Sequence, residues 1–196
     1  MMTTMDAKAA NRQVSSAMGD PVFETTRHAL VFAFRFSSEQ YGESTLGKLL
    51  RRGCGSGKNL SGLDGAGQAG MVLATIWRLK PIERAAIVAR FSPRAEPCPC
   101  CGADKMREEW SEAVEMLAEW CVPSGVSNIR CRRALVGKYF GLPGIEFAAL
   151  AAAHQVNRKT VAEHYRAMVR RLADVEALAQ AAVDDVFKGA GMVLAA

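Results

Sequence analysis

The stretch FAALAAAHQVNRKTVAEHYRAMVRRL, residues 147–172, decides how this chain is read. It predicts a helix, a tight turn and a second helix. Leu150 and Ala151 supply the consecutive apolar and small positions where a second helix can cross the first. The turn needs a residue able to adopt left-handed geometry, then an apolar plug, then a polar cap. Gln155, Val156 and Asn157 stand there; glycine is usual at the first place, so Gln155 is a departure. Val161, Tyr165, Met168 and Leu172 form the stripe that the second helix should bury. Arg158, Lys159, Ala162, Glu163 and Arg166 are left facing outward.

Charge sharpens that reading. From Asn128 to Leu172 there are nine Lys/Arg (130, 132, 133, 138, 158, 159, 166, 170, 171) against Glu146 and Glu163. A basic block of this kind points to a polyanionic partner, most often nucleic acid. The N-terminal turns of such a second helix enter a major groove. Arg158, Lys159 and either Ala162 or Glu163 are then the base-edge candidates. Arg166, Arg170, Arg171 and Arg130 suit phosphate, and Thr160 suits either. Arg132 and Arg133, predicted outward on the preceding helix, extend the DNA-facing set, and Asn157 joins it at the cap. An ordinary helical hairpin with a basic wet side is the competing reading.

The whole chain has 196 residues and a net charge of +5, with 49% hydrophobic and 23% charged residues. That is one large or two small domains with enough apolar side chains to bury a core. No apolar run approaches the ~20 residues a membrane span needs, and no secretory segment opens the chain. The expectation is no membrane association and a bacterial cytoplasmic or nucleoid location. Six cysteines without an export signal then favour metal binding over disulfides. Three histidines, no Ser/His/Asp arrangement and no H-E-x-x-H motif argue against an enzyme.

Toward the N-terminus, residues 1–21 read as a flexible leader. Helical spacing predicts a helix over about Thr25–Ser37, and a second short one over Ser44–Arg52. The glycine-rich run 53–70 reads as a loop. Its GCGSGK lacks the phosphate-loop pattern, because Arg52 and Asn59 stand at the required positions, and Cys54 reads as an incidental thiol. A helix starting at Asp64 or Gly65 should run through Leu79. Pro81 then opens another helix to Phe91.

CPCCG, Cys98–Gly102, has the Cys-Pro-x-Cys-Gly form of a zinc knuckle, in which Cys98 and Cys101 approach one tetrahedral ion. Two further ligands are needed. Cys121 and Cys131 are the candidates, with Cys100, His154 and His28 behind them. Cys121 also continues the apolar stripe Trp110, Ala113, Val114, Leu117, so a buried core cysteine fits equally well. Asp104–Trp120 is expected as an acidic amphipathic helix, carrying Asp104 and Glu108, 109, 112, 115 and 119 against Lys105 and Arg107. It would be a solvated face, a docking face for a basic partner, or an internal partner for the basic segment. Val122–Ser127 reads as a loop, and Asn128–Phe140 as a basic helix ended by Gly141–Gly144.

The expected architecture is all-α: a helical bundle with a zinc-knuckle insertion and a C-terminal helix-turn-helix. Its regions are 1–21 (leader), 22–97 (N-terminal helices), 98–127 (knuckle and acidic helix) and 128–196 (basic helix-turn-helix and C-terminal helix). The second helix is expected to run on as ADVEALAQAAVDDVF, an alanine-rich extension that suits packing or self-association, and hence a homodimer.

LAAAHQVNRKTVAEHYRAMVRRL resembles the helix-turn-helix of sigma region 4. The order of LKPIER, cysteine knuckle, helical middle and helix-turn-helix resembles phage and prophage late-gene antiterminators of the Q type, over about Leu79–Leu172. The chain departs from the lambdoid pattern in lacking a second C-x-x-C. The resemblance implies a protein that binds double-stranded DNA near a promoter, engages RNA polymerase paused with its sigma factor, and lets it read through terminators. It also implies a structural zinc ion. A dimeric repressor or activator without antitermination activity is the alternative.

Overall fold

The computed structural model describes residues 21–42, 62–98, 100–122 and 128–194. It is mostly helical with a cysteine cluster inserted between helices, as the sequence predicts; the insertion is a hairpin of two short strands, which the sequence does not predict. The elements are α1 (Thr26–Gly42), α2 (Gly62–Trp77), α3 (Pro81–Phe91), β1 (Ala95–Pro97), β2 (Asp104–Met106), α4 (Glu108–Trp120), α5 (Ile129–Tyr139), α6 (Phe147–His154) and α7 (Arg158–Gly189). The expected leader up to residue 20, the expected helix 44–52, and Cys54 with the run 53–61 lie outside the described residues. So do residues 123–127 of the expected loop.

Local chemistry sets most boundaries. The hydroxyl of Thr25 accepts from the His28 amide (3.1 Å) at the start of α1. Pro81 sits in the first turn of α3, where its missing N–H costs nothing. Asn128 caps α5 by accepting from the Arg130 and Cys131 amides. At the end of α5, Gly141 (φ +86°) turns the chain, and the Leu142 amide donates back to the Gly137 carbonyl (2.8 Å).

Two expectations are corrected. The helix expected from Asp64 or Gly65 begins earlier, at Gly62, so the C-terminal part of the run read as loop over 53–70, residues 62–70, forms the first turns of α2. Gly65 and Ala69 are buried there, and Ala69, Val72 and Ile76 pack with Leu30 and Ala33 of α1. Packing thus overrides the poor helix propensity of glycine. Residues 104–106, expected to open the acidic helix, are instead strand β2. It pairs antiparallel with β1 (Ala95 opposite Met106, Pro97 opposite Asp104), and α4 begins only at Glu108.

Two hydrophobic cores share two helices. One gathers Ala86 and Ala89 of α3, Trp110 and Leu117 of α4, Leu135 and Phe140 of α5, and Met168 and Leu172 of α7. The other gathers Leu30 of α1, Val72 and Ile76 of α2, Ile87 of α3, and Ala179, Val183 and Phe187 of α7. Helix α7 has 32 residues and so spans roughly 48 Å. It is the spine along which both cores are laid. The alanine-rich half of α7 therefore buries a face against the chain's own N-terminal helices. The two ends of the described chain also meet: the Phe23 amide donates to the Met192 carbonyl (3.0 Å). Among the described residues, no helix is long and apolar enough to cross a membrane.

Candidate nucleic-acid interface and cysteine knuckle

The turn between α6 and α7 is built around Gln155, the one non-glycine residue with positive φ among the described residues (φ 53°, ψ 39°). Its amide donates to the Ala152 carbonyl (3.4 Å), and the Val156 amide to the Ala151 carbonyl (3.0 Å). This is the paired closure of a helix end by a left-handed residue, here achieved without glycine. Asn157 then caps α7, its side-chain oxygen accepting from the Lys159 amide (2.8 Å). Val156, expected as an apolar plug, is 43% exposed. The turn is held by its hydrogen bonds and by Ala151, which is buried against α7, more than by Val156.

Beyond the turn, Val161, Met168 and Leu172 are buried. Tyr165 is half-buried, with its ring 5.2 Å from that of Phe147. The opposite side of α7 carries Arg158, Lys159, Glu163, Arg166 and Arg170, all exposed, with Thr160 and Ala162 half-buried. Arg130, at the start of α5, is exposed as well. The α7 side chains form a basic front interrupted by one carboxylate.

Three arginines expected on that front do other work. Arg132 is buried, and its Nε donates to the Ala118 carbonyl (2.8 Å) in the last turn of α4. A guanidinium there satisfies a carbonyl that the helix cannot, at the negative end of the helix dipole. Arg133 pairs with Glu115 of α4. The acidic helix thus meets the basic segment that follows it within the same chain. Arg171 lies over the Trp120 ring, 4.6 Å from its centre. Lys138 is likewise engaged, donating to the Ile145 carbonyl (2.6 Å).

The cysteine expectation is also corrected. Cys121 and Cys131 are buried in the core around α4 and α5, and do not join the knuckle. Burial pushes the Cys121 thiol up to about 11, against the opposing pull of the Arg171 and Arg132 charges. Burial raises Cys131 too. His28 faces Glu24 (3.4 Å), and His154 ends α6. The sulfurs that converge are those of Cys98, Cys100 and Cys101, all within 4.8 Å of one another at the tip of the β1–β2 hairpin. They could hold a metal ion. Gly102 (φ +71°) makes the bend, its amide donating to the Cys98 carbonyl (2.8 Å), while the Cys98 amide donates to Ala103 (2.8 Å). Hydrogen bonding from the Cys100 thiol, 2.9 Å away, lowers Cys98 to about 7.

One interior feature escaped the sequence reading. Glu176 of α7 is buried and holds Arg90 of α3 in a two-pronged pair (2.6 and 2.7 Å). It also accepts from the Tyr139 hydroxyl (2.9 Å) and the Gln180 amide (3.2 Å). The Arg90 guanidinium lies over the rings of Tyr139 and Phe140 (5.1 and 4.9 Å). Hydrogen bonding to Glu176 holds Arg90 above its ordinary value. The register was readable: Glu176 stands four residues after Leu172 and three before Ala179, within the buried stripe.

Compared with known proteins, the chain matches no family model and no curated sequence.

Proposed function

We propose that this chain is a DNA-binding transcription regulator that reads a major groove with the first turns of α7. The observation that carries the reading is the α6–α7 turn. A left-handed Gln155 and an Asn157 cap precede a helix whose buried stripe and basic front lie on opposite sides. Arg158, Lys159 and Glu163 are assigned to base edges, Arg166 and Arg170 to phosphates. Arg132, Arg133 and Arg171 leave the DNA-facing set, since each has a partner within the chain. By the resemblance to Q-type antiterminators, the regulator would act on RNA polymerase and permit terminator readthrough. The cation at the hairpin tip would be a structural zinc ion.

Sites selected from random duplexes, followed by gel shifts on the selected and scrambled DNA, test the reader. Arg158→Ala and Lys159→Ala should each lower the preference for the selected site, by about 1–3 kcal/mol where the contact is bidentate. Arg170→Ala should weaken both DNAs alike and reduce the salt slope by about one. Equal losses on both DNAs for all three variants would refute the groove assignment. Transcription by polymerase holoenzyme across a terminator tests the second half. A selected-site shift with unchanged readthrough would leave the repressor alternative. Leu178 and Val186 favour that alternative as a dimer contact, since both are exposed and lie two turns apart on α7.

A further inference from the structure

The hairpin tip offers three sulfurs, not the two of a knuckle half-site. We propose that Cys98, Cys100 and Cys101 together form a three-thiolate site for a thiophilic divalent cation, with a fourth position open to an exogenous donor. This rests on the reading that the tip holds zinc, and specifies how.

Two thiolates on one tetrahedral zinc ion lie about 3.7 Å apart, given Zn–S bonds near 2.3 Å. Cys98 and Cys100 stand 2.9 Å apart, and all three sulfurs fall within 4.8 Å of one another. These separations bracket the spacing a common tetrahedral ion needs. Main-chain bonds hold the tip in place. The Cys98 amide and carbonyl are both engaged (Ala103 and Gly102), and β1 and β2 are paired behind them. Among the described residues, no histidine, carboxylate or fourth cysteine joins the group. Cys121 and Cys131 sit in a core and have no route to the tip short of unfolding it. Cys100 and Cys101 are exposed. An ion bound here has one side facing solvent, where water, imidazole or a partner's thiolate completes the tetrahedron. Closed structural zinc sites use four protein ligands, and an open position is what permits exchange. The site is therefore a place where an outside donor attaches through the metal.

Cobalt(II) is the probe, added to the full-length chain kept reduced by a phosphine. The expected result is one equivalent bound, with the visible bands of a tetrahedral ion and charge-transfer absorption for three thiolates. Added imidazole should shift the visible bands. Cys100→Ser should remove one thiolate's share of the charge-transfer intensity. Cys121→Ala, with its fold checked by far-ultraviolet circular dichroism, should leave the spectrum unchanged. A wild-type spectrum indifferent to imidazole or to Cys100→Ser overturns the proposal while leaving the metal reading standing. No cobalt uptake overturns both.

Discussion

Glu176 and Arg90 are two charges placed where the two cores meet, and each satisfies the other along with Tyr139 and Gln180. Removing one partner strands the other in a poorly solvated place. Glu176→Leu alone should cost about 3–5 kcal/mol, whereas Arg90→Met with Glu176→Leu should come much closer to wild type. Urea unfolding of the four proteins in the cycle checks this; equal losses in single and double variants would show that packing, not charge, holds the joint. A different carboxylate carries the pH dependence. Hydrogen bonds from Lys188 (2.7 Å) and from the Thr26 hydroxyl hold Asp184 below the usual carboxylate range. Its folded value lies below its unfolded value of about 4, so its contribution is complete above that pH and fades as pH falls through the folded value. Asp184→Asn should flatten acid unfolding below about pH 4. An unaltered acid limb would remove this pair from the account. At this scale charge counting misled. Arg132 lies three and four residues before buried Leu135 and Val136, and Arg171 three after Met168. The same three-to-four-residue spacing, applied to each helix in turn, would have turned both arginines inward, had apolar identity not been required of a core position.

Helix existence was the most legible property of the elements, because apolar spacing agrees with the Asn128 and Asn157 caps over α5 and α7 and with Pro81 in the first turn of α3. Misreading came where a local preference lost to packing. GLDGAGQAG carries both signals, loop by composition and a helix from Asp64 or Gly65 by spacing; the helix prevails and starts at Gly62, with Gly65 and Ala69 buried there. Gly67 and Gly70 point away from any neighbour, and an added Cβ would meet nothing within 4 Å. Gly67→Ala and Gly70→Ala should each stabilise by about 0.5–1 kcal/mol through the unfolded chain. Gln155→Gly should also stabilise, by about 1 kcal/mol, by relieving the left-handed penalty. Calorimetry should show melting temperatures rising by about 2–4 °C per kcal/mol. A fall in any of the three would mean that the added or lost side chain makes contacts the structure does not contain. The hairpin escaped notice because three-residue strands leave no period to read, although CPCCG marked its turn.

Over the whole molecule, the regions expected at 22–97 and 128–196 share both cores through α3 and α7. The reader therefore cannot be melted separately from the N-terminal helices. Phe187 is fully buried among α1 and α2, far along the spine from Arg158. Phe187→Ala should cost about 3–5 kcal/mol. Circular dichroism at 222 nm and tryptophan fluorescence should lose their signals at one shared midpoint. Separate midpoints would show two folding units. The sequence carried the second helix on through ADVEALAQAAVDDVF, as α7 does, but not its packing partners, since nothing in a local window tells which distant helices a buried stripe will meet.

A rigid rod gripped at both ends cannot be turned at one end alone. The compass bearing of Arg158 and Lys159 is thus fixed jointly by the Gln155 turn beside them and by Val183 and Phe187 at the far end. Each added or deleted residue in α7 between those anchors would swing the basic front by about 100° relative to the N-terminal helices. Length, as much as composition, is what aims it.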